Sequence, residues 1–455
     1  MKPEQAHIDQ IRAAFEKMES REDLLHVLNV AKPMVYGDKA VPFQLKQLTW
    51  YANPKLGRKR YTEFKVKKKS GAERSIHSPV AGLKSIQKTL SFVLQCVYEP
   101  HNAAMGFVRD KSIVDNAKLH VGNMYVYNID LKDFFPSVDQ ARVWKCFQLT
   151  PFNLARNGVL ANIIASLCCT EMEVERKNES GEWEKVKRNV LPQGAPTSPV
   201  ITNIVCQKLD YLLSGVAKRF GLKYSRYADD ITFSSMHNVY QPESEFLKEL
   251  QRIITEQNFH IKESKTRLQK DGFRKEVTGL LVNEKANVQQ RYIKQLRMWL
   301  YYWERYGYER ASGFFLQQYN ADKGHVKKGE PDMPNVISGK LDYLKMVKGA
   351  DNDLYLKLKS RFKNLNDSSI KSNTISEAAN TTEIDSNQVK IEWEVCQSPK
   401  KNAKLFDSIN ELYLKLKSRF NLLIGFEDPI KQVLNVWETD GIEQAMEFYY
   451  KNKFK

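Results

Sequence analysis

Two adjacent aspartates, Asp229 and Asp230, lie at the centre of a segment whose side chains alternate between polar and apolar character, LKYSRYADDITFSS. Alternation on both sides of an acidic pair predicts two strands joined by a tight turn. The two carboxylates are therefore expected side by side at the tip of a β-hairpin. Like charges held this close repel each other, so the pair calls for a bound cation or a solvated loop.

A second predicted strand supplies another carboxylate. The segment MYVYNIDLKDFF is rich in aromatic and β-branched residues, and Asp130 follows its apolar part. Nucleotidyl transfer uses two divalent cations about 3.5–4 Å apart. Hard cations such as Mg²⁺ prefer carboxylate oxygens. Taken singly, an aspartate after a strand is usually a turn residue and an Asp-Asp pair is usually a solvated loop.

The charge balance favours a polyanionic partner. The chain has 71 Lys and Arg residues against 54 Asp and Glu residues, a formal net charge of +17. Nucleic acid is the first expectation and an anionic membrane surface the second. No stretch approaches the roughly 18 apolar residues of a spanning helix, and the first 20 residues lack an apolar signal region, so we expect no membrane partner. The six cysteines lack zinc spacing, as is typical of reduced thiols in a cytoplasmic protein.

Three motifs give these aspartates a common context. The YADD sequence at 227–230 resembles the YxDD box of reverse transcriptases, NIDLKDFFPSV resembles their first palm motif, and LPQGAPTSPVITN is similar to their LPQG…SP motif. The three motifs occur in the order found in that family. The resemblance implies an α/β (α+β) right-hand polymerase with fingers, palm and thumb. It also implies RNA-directed DNA polymerase activity with two Mg²⁺ ions.

The resemblance assigns roles to individual residues. Asp130, Asp229 and Asp230 match the metal ligands and so the catalytic residues. Phe135 matches the bulky residue beneath the sugar of the incoming nucleotide, where a ring would clash with a ribose 2′-hydroxyl. It therefore implies the use of dNTPs rather than rNTPs and disfavours an RNA-templated RNA polymerase. Phe135 could alternatively belong to the core.

Four further residues match positions that bind the nucleotide in the family. Gln193 and Gly194 match the turn that shapes the nucleotide pocket, where glycine permits close backbone approach. Arg74 matches the fingers arginine that grips the triphosphate, a task that suits the guanidinium fork. Lys265 matches a lysine near the leaving pyrophosphate, although a solvated lysine at a helix end is an equally good interpretation.

Two short pieces resemble signatures of retron reverse transcriptases. The NAKLH sequence at 116–120 matches the pattern NAxxH through Asn116 and His120, and the triplet Val277, Thr278 and Gly279 matches VTG. In that family these regions contact a structured non-coding RNA, so the five residues are expected to bind RNA. VTG is also ordinary content of a β-strand, and EVTGLLVN is expected to form a short one. If 116–120 is helical, Asn116 and His120 share one face.

The retron resemblance implies a structured, co-encoded RNA template, a DNA product and dNTP substrates. It also implies a role in antiphage defence and allows for an effector protein as a further partner. Alternatives are a different defence-associated reverse transcriptase and a relative of group II intron enzymes. The chain contains no recognisable endonuclease pattern, and it is longer than retron enzymes commonly are. From another class, the rival is a non-catalytic RNA-binding protein on a polymerase fold. Three intact aspartates argue against this rival.

The composition predicts five parts of the chain. Residues 364–390 are polar and contain no aromatic residue, which favours a flexible linker. The nine residues LYLKLKSRF occur at 354–362 and again at 412–420, as a duplicated amphipathic helix or a second docking helix. The predicted parts are an N-terminal helical segment at 1–44, fingers and palm at 45–288, a thumb at 289–365, a linker at 366–390, and a helical extension at 391–455.

Overall fold

A computed structural model describes residues 4–53, 56, 60–67, 71, 73–323 and 330–378. The described chain mixes helices and strands, as expected. The helices are α1 (Gln5–Glu16), α2 (Arg21–Tyr36), α3 (Leu45–Ala52), α4 (Ala81–Val97), α5 (Ile113–Lys118), α6 (Gln140–Phe147), α7 (Gly158–Cys168), α8 (Ser198–Val205), α9 (Gln207–Arg219), α10 (Glu245–Glu256), α11 (Gln290–Lys323), α12 (Met333–Lys348) and α13 (Asp353–Ala378). The strands are β1 (Tyr61–Lys67), β2 (Glu73–Pro79), β3 (Tyr125–Asp130), β4 (Thr170–Lys177), β5 (Trp183–Val190), β6 (Lys223–Tyr227), β7 (Asp230–Ser235), β8 (Arg267–Lys270), β9 (Glu276–Val277) and β10 (Leu280–Leu281).

A four-stranded antiparallel sheet in the order β6-β7-β3-β8 lies at the centre of the predicted palm. The alternating segment around the acidic pair forms β6 and β7, so the predicted hairpin is confirmed. Strand β3 pairs with β7 in a register that sets Asp130 directly opposite Asp230. Cross-strand neighbours have Cβ atoms about 4.5–5.5 Å apart. This register therefore brings carboxylates 100 residues apart in sequence to one end of the sheet.

Two hydrophobic cores hold the described chain together. The first core includes Ile11 and Phe15 of α1, Leu24 and Leu28 of α2, and one face of α4, together with the sheet and helices α6–α10. The N-terminal helices thus share a core with the predicted fingers and palm. The second core joins α5 and the β9–β10 hairpin to helices α11–α13, and its central members are Val114, Ala117, Val126, Val277, Leu280, Leu296, Trp299 and Phe315.

Two further hairpins lie outside the central sheet. Strands β1 and β2 form the first, with Phe64 opposite Ile76, and strands β4 and β5 form the second, paired along their full length. In the second of these hairpins, the tip at 178–182 is closed by a hydrogen bond from the Asn178 amide to the Glu182 carbonyl, at 2.9 Å. No helix within the described part of the chain is long and apolar enough to cross a membrane.

Two expectations about elements are wrong. EVTGLLVN does not form one strand: Val277 pairs with Leu280, so β9 and β10 are the arms of a tight hairpin. Its turn residues Thr278 and Gly279 have φ angles of 47° and 81°, which is the backbone conformation of a two-residue hairpin turn. Helix α13 continues to Ala378, into the stretch expected to be a linker, because serine, asparagine and lysine do not prevent a helix.

The first copy of the LYLKLKSRF repeat lies in α13. Its residues Tyr355 and Leu358 are buried in the second core, and Phe362 packs against that core. This copy is therefore an amphipathic helix with an apolar face that packs inside the protein. The second copy, at 412–420, and the predicted extension at 391–455 lie outside the described residues.

Candidate active site

The three aspartates converge because of the sheet register and one tight turn. Tyr227 pairs with Asp230, which leaves Ala228 and Asp229 as the two turn residues. Ala228 has a φ of 58°, in the left-handed region, and its side chain is buried. The Leu131 amide donates to the Asp229 carbonyl at 3.0 Å, which joins the end of β3 to the turn. The backbone thus fixes the positions of Asp130, Asp229 and Asp230 relative to one another.

The electrostatics of the site reflect this crowding. Partial burial, followed by the negative charge of Asp130, raises the pKa of Asp229 above its usual value. Partial burial and the charges of Asp229 and Asp130 raise the pKa of Asp230 to about 6. The Asp230 side chain faces an open groove, where water screens part of this effect. A cluster of carboxylates in which neighbouring negative charges raise the pKa values of Asp229 and Asp230 suits a site that binds divalent cations.

Three cations of the protein, Lys265, Arg74 and Arg267, act on these carboxylates. Lys265 Nζ lies 2.5 Å from Asp130 Oδ2, so this lysine is adjacent to the aspartates, and its role near the leaving pyrophosphate stays a prediction. The positive charges of Lys265 and Arg74 both oppose the rise in the pKa of Asp229. Within the described residues, no three acidic, histidine or cysteine side chains form a ready-made metal cluster. Asp130 is instead engaged by Lys265.

A buried ion pair beneath the turn was missed by the sequence analysis. Arg226 and Asp210 are both fully buried, and the Arg226 Nε and Nη2 atoms donate to the two Asp210 oxygens at 2.7 and 2.6 Å. Arg226 Nη1 also donates to the Ala228 carbonyl at 3.2 Å, and Nη2 to the Asn203 side chain at 3.1 Å. Arg226 therefore supports the turn that carries Asp229. Two features of the sequence could have predicted this ion pair: Arg226 lies between apolar positions of a strand, and Asp210 lies on the apolar face of a helix.

The predicted nucleotide-pocket loop lies against β2, which carries Arg74. The His77 amide donates to the Gln193 carbonyl at 2.8 Å. Gly194 has a φ of 120°, and a Cβ atom there would lie 2.8 Å from both the His77 carbonyl oxygen and Ile76 Cγ2. The close backbone approach expected at Gly194 is therefore present, and its partner is β2 of the same chain. The nucleotide-binding roles of Arg74, Gln193 and Gly194 stay predictions.

Phe135 and Phe134 differ in their surroundings. Phe134 is buried and stacks on Phe259 with ring centroids 5.6 Å apart, which places it in the core. Phe135 is half-buried, and its second aromatic neighbour is the exposed Phe107, at 6.2 Å. Sequence analysis missed Phe107 and the adjacent Gly106, where a Cβ atom would lie 2.6 Å from the Ala228 amide nitrogen. Phe135 thus stands between the core and an aromatic residue beside the aspartate turn.

The structure does not support the RNA contacts expected of Asn116 and His120. Both side chains are buried, at 1% and 0% exposure, and His120 lies beyond the end of α5. They point into the protein, where His120 contacts the hydroxyl groups of Ser225 and Ser234 at 2.7 Å. Four-residue spacing shows that two side chains share a face and does not show whether that face meets solvent. These residues are therefore structural in the described conformation and do not present their polar groups to RNA.

The three residues of the VTG triplet differ in their exposure to solvent. Val277 is fully buried in the second core, so its side chain is not available to a ligand. Thr278 is half-buried and Gly279 is exposed. Only the turn residues of the triplet are therefore positioned to reach a bound nucleic acid, and for them RNA contact stays a prediction.

Two grooves meet at Gly279. The catalytic groove has a volume of about 590 Å³, and Asp130, Asp230, Lys265, Arg267 and Gly279 contribute to its lining. A second groove of about 840 Å³ lies between α11 and α12 and also reaches Gly279. The second groove carries the cations Arg291, Lys294 and Lys340, and none of its described lining residues is acidic. A basic path therefore leads away from the aspartates.

Comparison with known proteins identifies the family. Residues 66–293 match the family described as reverse transcriptase (RNA-dependent DNA polymerase). The chain is 37% identical to the reverse transcriptase of retron Mx162 from Myxococcus xanthus over 283 residues, which are 57% of this chain and 56% of that protein. It is 36% identical to the reverse transcriptase of retron Mx65 from the same organism over 247 residues, 53% of this chain and 56% of that protein.

The chain spans about half the length of these two curated relatives. It covers more of the reverse transcriptase of retron Ec86 from Escherichia coli, to which it is 33% identical over 52% of this chain and 68% of that protein. Among solved structures, telomerase from Candida albicans matches 71% of this chain and 66% of that chain at 12% identity, with a TM-score of 0.36. On the family match and the Ec86 coverage together, the chain belongs to the retron reverse transcriptase family.

Proposed function

We propose that this protein is an RNA-directed DNA polymerase that copies a structured, co-encoded RNA into DNA. The single observation that carries the proposal is the register of β3 and β7, which sets Asp130 opposite Asp230 beside the turn residue Asp229. Three carboxylates at one end of a sheet, two of which line an open groove together with cations, suit nucleotidyl transfer to a nucleic acid. The enzyme would lower the barrier by positioning the reacting groups and neutralising the charge on the phosphates, without a covalent intermediate.

Asp130, Asp229 and Asp230 are the residues that would hold two Mg²⁺ ions. Their oxygens are the ligands that hard cations prefer. The raised pKa values of Asp229 and Asp230 reflect crowded negative charge, which bound cations would neutralise. The ions would activate the attacking hydroxyl and stabilise the triphosphate. The hydroxyl attacks the α-phosphate of a dNTP, forming one phosphodiester bond and releasing pyrophosphate. Lys265, which forms an ion pair with Asp130, would neutralise charge near the leaving group.

The incoming dNTP is proposed to lie between the aspartates and β2. Arg74 extends its positive charge to Asp229 and suits the triphosphate. Gln193 and Gly194, held against β2 through His77, would form the wall of the nucleotide pocket. Phe135, with Phe107 beside it, would lie under the sugar and exclude a 2′-hydroxyl.

The primer and template are proposed to follow the basic path through Gly279. Arg267 lies in the first groove, and Arg291, Lys294 and Lys340 lie in the second. Contacts between cations and phosphates are independent of sequence and weaken steeply with salt. Helices α11–α13 would then form the thumb. Recognition of one particular RNA requires unpaired bases and shape in addition, and the exposed Gly279 and the half-buried Thr278 lie on the path where such contacts form.

The biological setting is proposed from the family. Its named relatives are retron reverse transcriptases, which supports a retron function in antiphage defence, in the cytoplasm, with room for an effector protein. A different defence-associated enzyme, or one related to group II introns, is the alternative. DNA flanking the gene would distinguish them, because a retron requires a neighbouring locus for a structured RNA.

Primer extension on an RNA template tests the catalytic proposal. The wild type, Asp229→Asn and Asp230→Asn are compared with Mg²⁺ and dNTPs, and RNA binding is measured in parallel. We expect both variants to lose DNA synthesis while they still unfold in one cooperative transition and keep the RNA affinity of the wild type, because these acids lie at a hairpin tip. A wild type that binds RNA but never extends a primer would instead favour the non-catalytic RNA-binding protein.

A further inference from the structure

Five polar side chains form a continuous hydrogen-bonded chain between the sheet and the β9–β10 turn. It runs through Ser234 of β7, His120, Ser225 of β6, Asn116 of α5 and Thr278. The distances are 2.7 Å from Ser234 to His120, 2.7 Å from His120 to Ser225, 2.6 Å from Ser225 to Asn116 and 3.4 Å from Asn116 to Thr278. The two motifs that resemble retron signatures therefore meet in one network inside the protein.

The chemistry of the groups gives the network one direction. Asn116 Oδ1 can only accept, so the single hydrogen of the Ser225 hydroxyl is donated to it. Ser225 must then accept from His120 Nε2, which leaves Nδ1 of the neutral ring to accept from the Ser234 hydroxyl. Asn116 Nδ2 donates to the Thr278 hydroxyl. Burial lowers the pKa of His120 to about 3, so the ring stays neutral and keeps this arrangement.

The far end of the network holds a strained residue. Thr278 is β-branched and has a φ of 47°, a conformation that such residues rarely adopt. Its hydroxyl accepts from Asn116 and donates to the Ile113 carbonyl, both at 3.4 Å. These hydrogen bonds are the polar restraints on a turn whose side chain and neighbouring Gly279 line the catalytic groove. A loss of the network would free the turn to relax.

The network also crosses the boundary between the two cores. Ser225 and Ser234 belong to the hairpin that carries Asp229 and Asp230, whereas the β9–β10 hairpin packs with α11–α13 in the second core. Apolar packing stabilises such a boundary but has no direction, so it tolerates small sliding movements. Hydrogen bonds are directional, and buried polar groups left without partners carry a free-energy penalty. The network therefore favours one arrangement of the two parts.

We propose that Ser234, His120, Ser225, Asn116 and Thr278 form a positioning joint that sets the thumb and the groove wall relative to the catalytic aspartates. The inference rests on the proposed polymerase function. The joint holds the primer–template in line with the aspartates through successive nucleotide additions. It acts through Thr278 and the second core and takes no part in the bond-forming step. NAxxH is thus an internal support of the nucleic-acid path rather than a surface that touches RNA.

Ser225→Ala is the first test, because it removes the central hydroxyl and leaves Asn116 Oδ1 and the His120 Nε2 hydrogen without partners. Steady-state extension is measured on an unrelated RNA template with a DNA primer, together with product length after one binding event in the presence of a heparin trap. We expect KM for primer–template to rise about fivefold, the size of one hydrogen bond. Products should be shorter, and the effect should fall on KM rather than on kcat.

A matched pair at Thr278 keeps the proposal testable if Ser225→Ala folds poorly. Thr278→Val retains the branched shape and loses the hydroxyl, whereas Thr278→Ser retains the hydroxyl. We expect Val to raise KM and shorten products and Ser to restore both towards the wild-type values. Thr89→Val is the control, because it removes a buried hydroxyl that bonds to the Ser85 carbonyl within α4, outside the network.

Three outcomes would overturn the joint. Thr278→Ser and Thr278→Val could behave alike, which would make the hydroxyl irrelevant. Ser225→Ala could change kcat and leave KM and product length unaltered, which would place the network in the chemical step. Either network variant could match Thr89→Val in every measurement, which would mean only a general loss of stability. Failure of the wild type to extend any primer would instead refute the polymerase proposal, so the two failures are distinguishable.

Discussion

The buried ion pair beneath the aspartate turn should be a critical structural contact of the palm. The perturbation is Asp210→Asn, which keeps the shape of the side chain and removes its charge. Asp210 Oδ1 accepts from Arg226 Nε and the Tyr224 hydroxyl, both at 2.7 Å, and Oδ2 accepts from Arg226 Nη2 at 2.6 Å. In asparagine, one of these positions becomes an NH₂ group. Whichever way the amide turns, at least one donor then faces another donor.

The size of the effect follows from the burial of both partners. Burial alone would lower the pKa of Arg226, but the Asp210 carboxylate more than offsets this, so the guanidinium stays charged. Removing one partner of a buried ion pair costs about 3–5 kcal/mol, since the remaining charge is uncompensated. A typical domain is stable by about 5–15 kcal/mol, so we expect a loss of roughly a fifth or more of the free energy of unfolding.

Urea unfolding followed by tryptophan fluorescence measures the loss, and a double-mutant cycle identifies its cause. Replacement of a buried pair by apolar residues is often neutral, so Asp210→Leu with Arg226→Met should be more stable than either single variant. This double variant should still lose DNA synthesis, because the Ala228 carbonyl no longer has its donor. Glu249→Gln is the control: it breaks the Arg219–Glu249 pair, in which Arg219 is 62% exposed, and should cost at most about 1 kcal/mol.

Either of two results would contradict this account of the ion pair. If Asp210→Asn costs no more than Glu249→Gln, the guanidinium does not depend on Asp210 for its compensation. If the stable double variant keeps wild-type DNA synthesis, the hydrogen bond from Arg226 to Ala228 does not support the aspartate turn.

Four further predictions follow from the site. Without divalent ions, the raised pKa of Asp230 means that its contribution to stability is fully present at low pH and is lost as pH rises through about 6. In the presence of a chelator, the Tm advantage of Asp230→Asn over the wild type should therefore grow from pH 5 to pH 7. A difference in Tm that stays constant over this range would contradict the prediction. Gly194→Ala should cost about 1–3 kcal/mol in backbone strain and weaken dNTP use, because its Cβ meets the His77 carbonyl; an unchanged KM for dNTP would show that the loop yields. Phe135→Val should raise rNTP incorporation relative to dNTP, and an unchanged ratio would place Phe135 in the core. A chain ending after Ala378 should keep generic primer extension, since α13 completes the second core, and an inactive but folded truncation would show that later residues are needed.

Strand patterns carried most of what the sequence could predict about the site. Alternation around Asp229 and Asp230 identified the hairpin, and the apolar run before Asp130 identified its neighbour. Both strand predictions depend on local periodicity, which can be read from the sequence without knowledge of the tertiary structure. The pairing of the two strands is non-local, and the family motifs, rather than the periodicity, brought them together.

Predictions failed where local pattern and three-dimensional surroundings diverge. Asn116 and His120 were expected to contact RNA, yet Ser225 and Ser234 on distant strands form hydrogen bonds with their polar groups in the interior. Arg226 was overlooked because its partner Asp210 lies on another element. VTG was taken as strand content, whereas only the positive φ angles of Thr278 and Gly279 define the turn.

The register between β3 and β7 has a consequence for how such chains change over evolutionary time. Asp130 and Asp230 face each other across 99 intervening residues, and β4, β5 and helices α6–α9 lie in that interval. A deletion of one residue inside either strand would turn its carboxylate to the opposite face of the sheet. Insertions in exposed loops between the two strands leave the pairing untouched. The exposed tip at 178–182 is therefore a place where lineages can gain or lose length, and where a tag or a fluorescent label can be introduced.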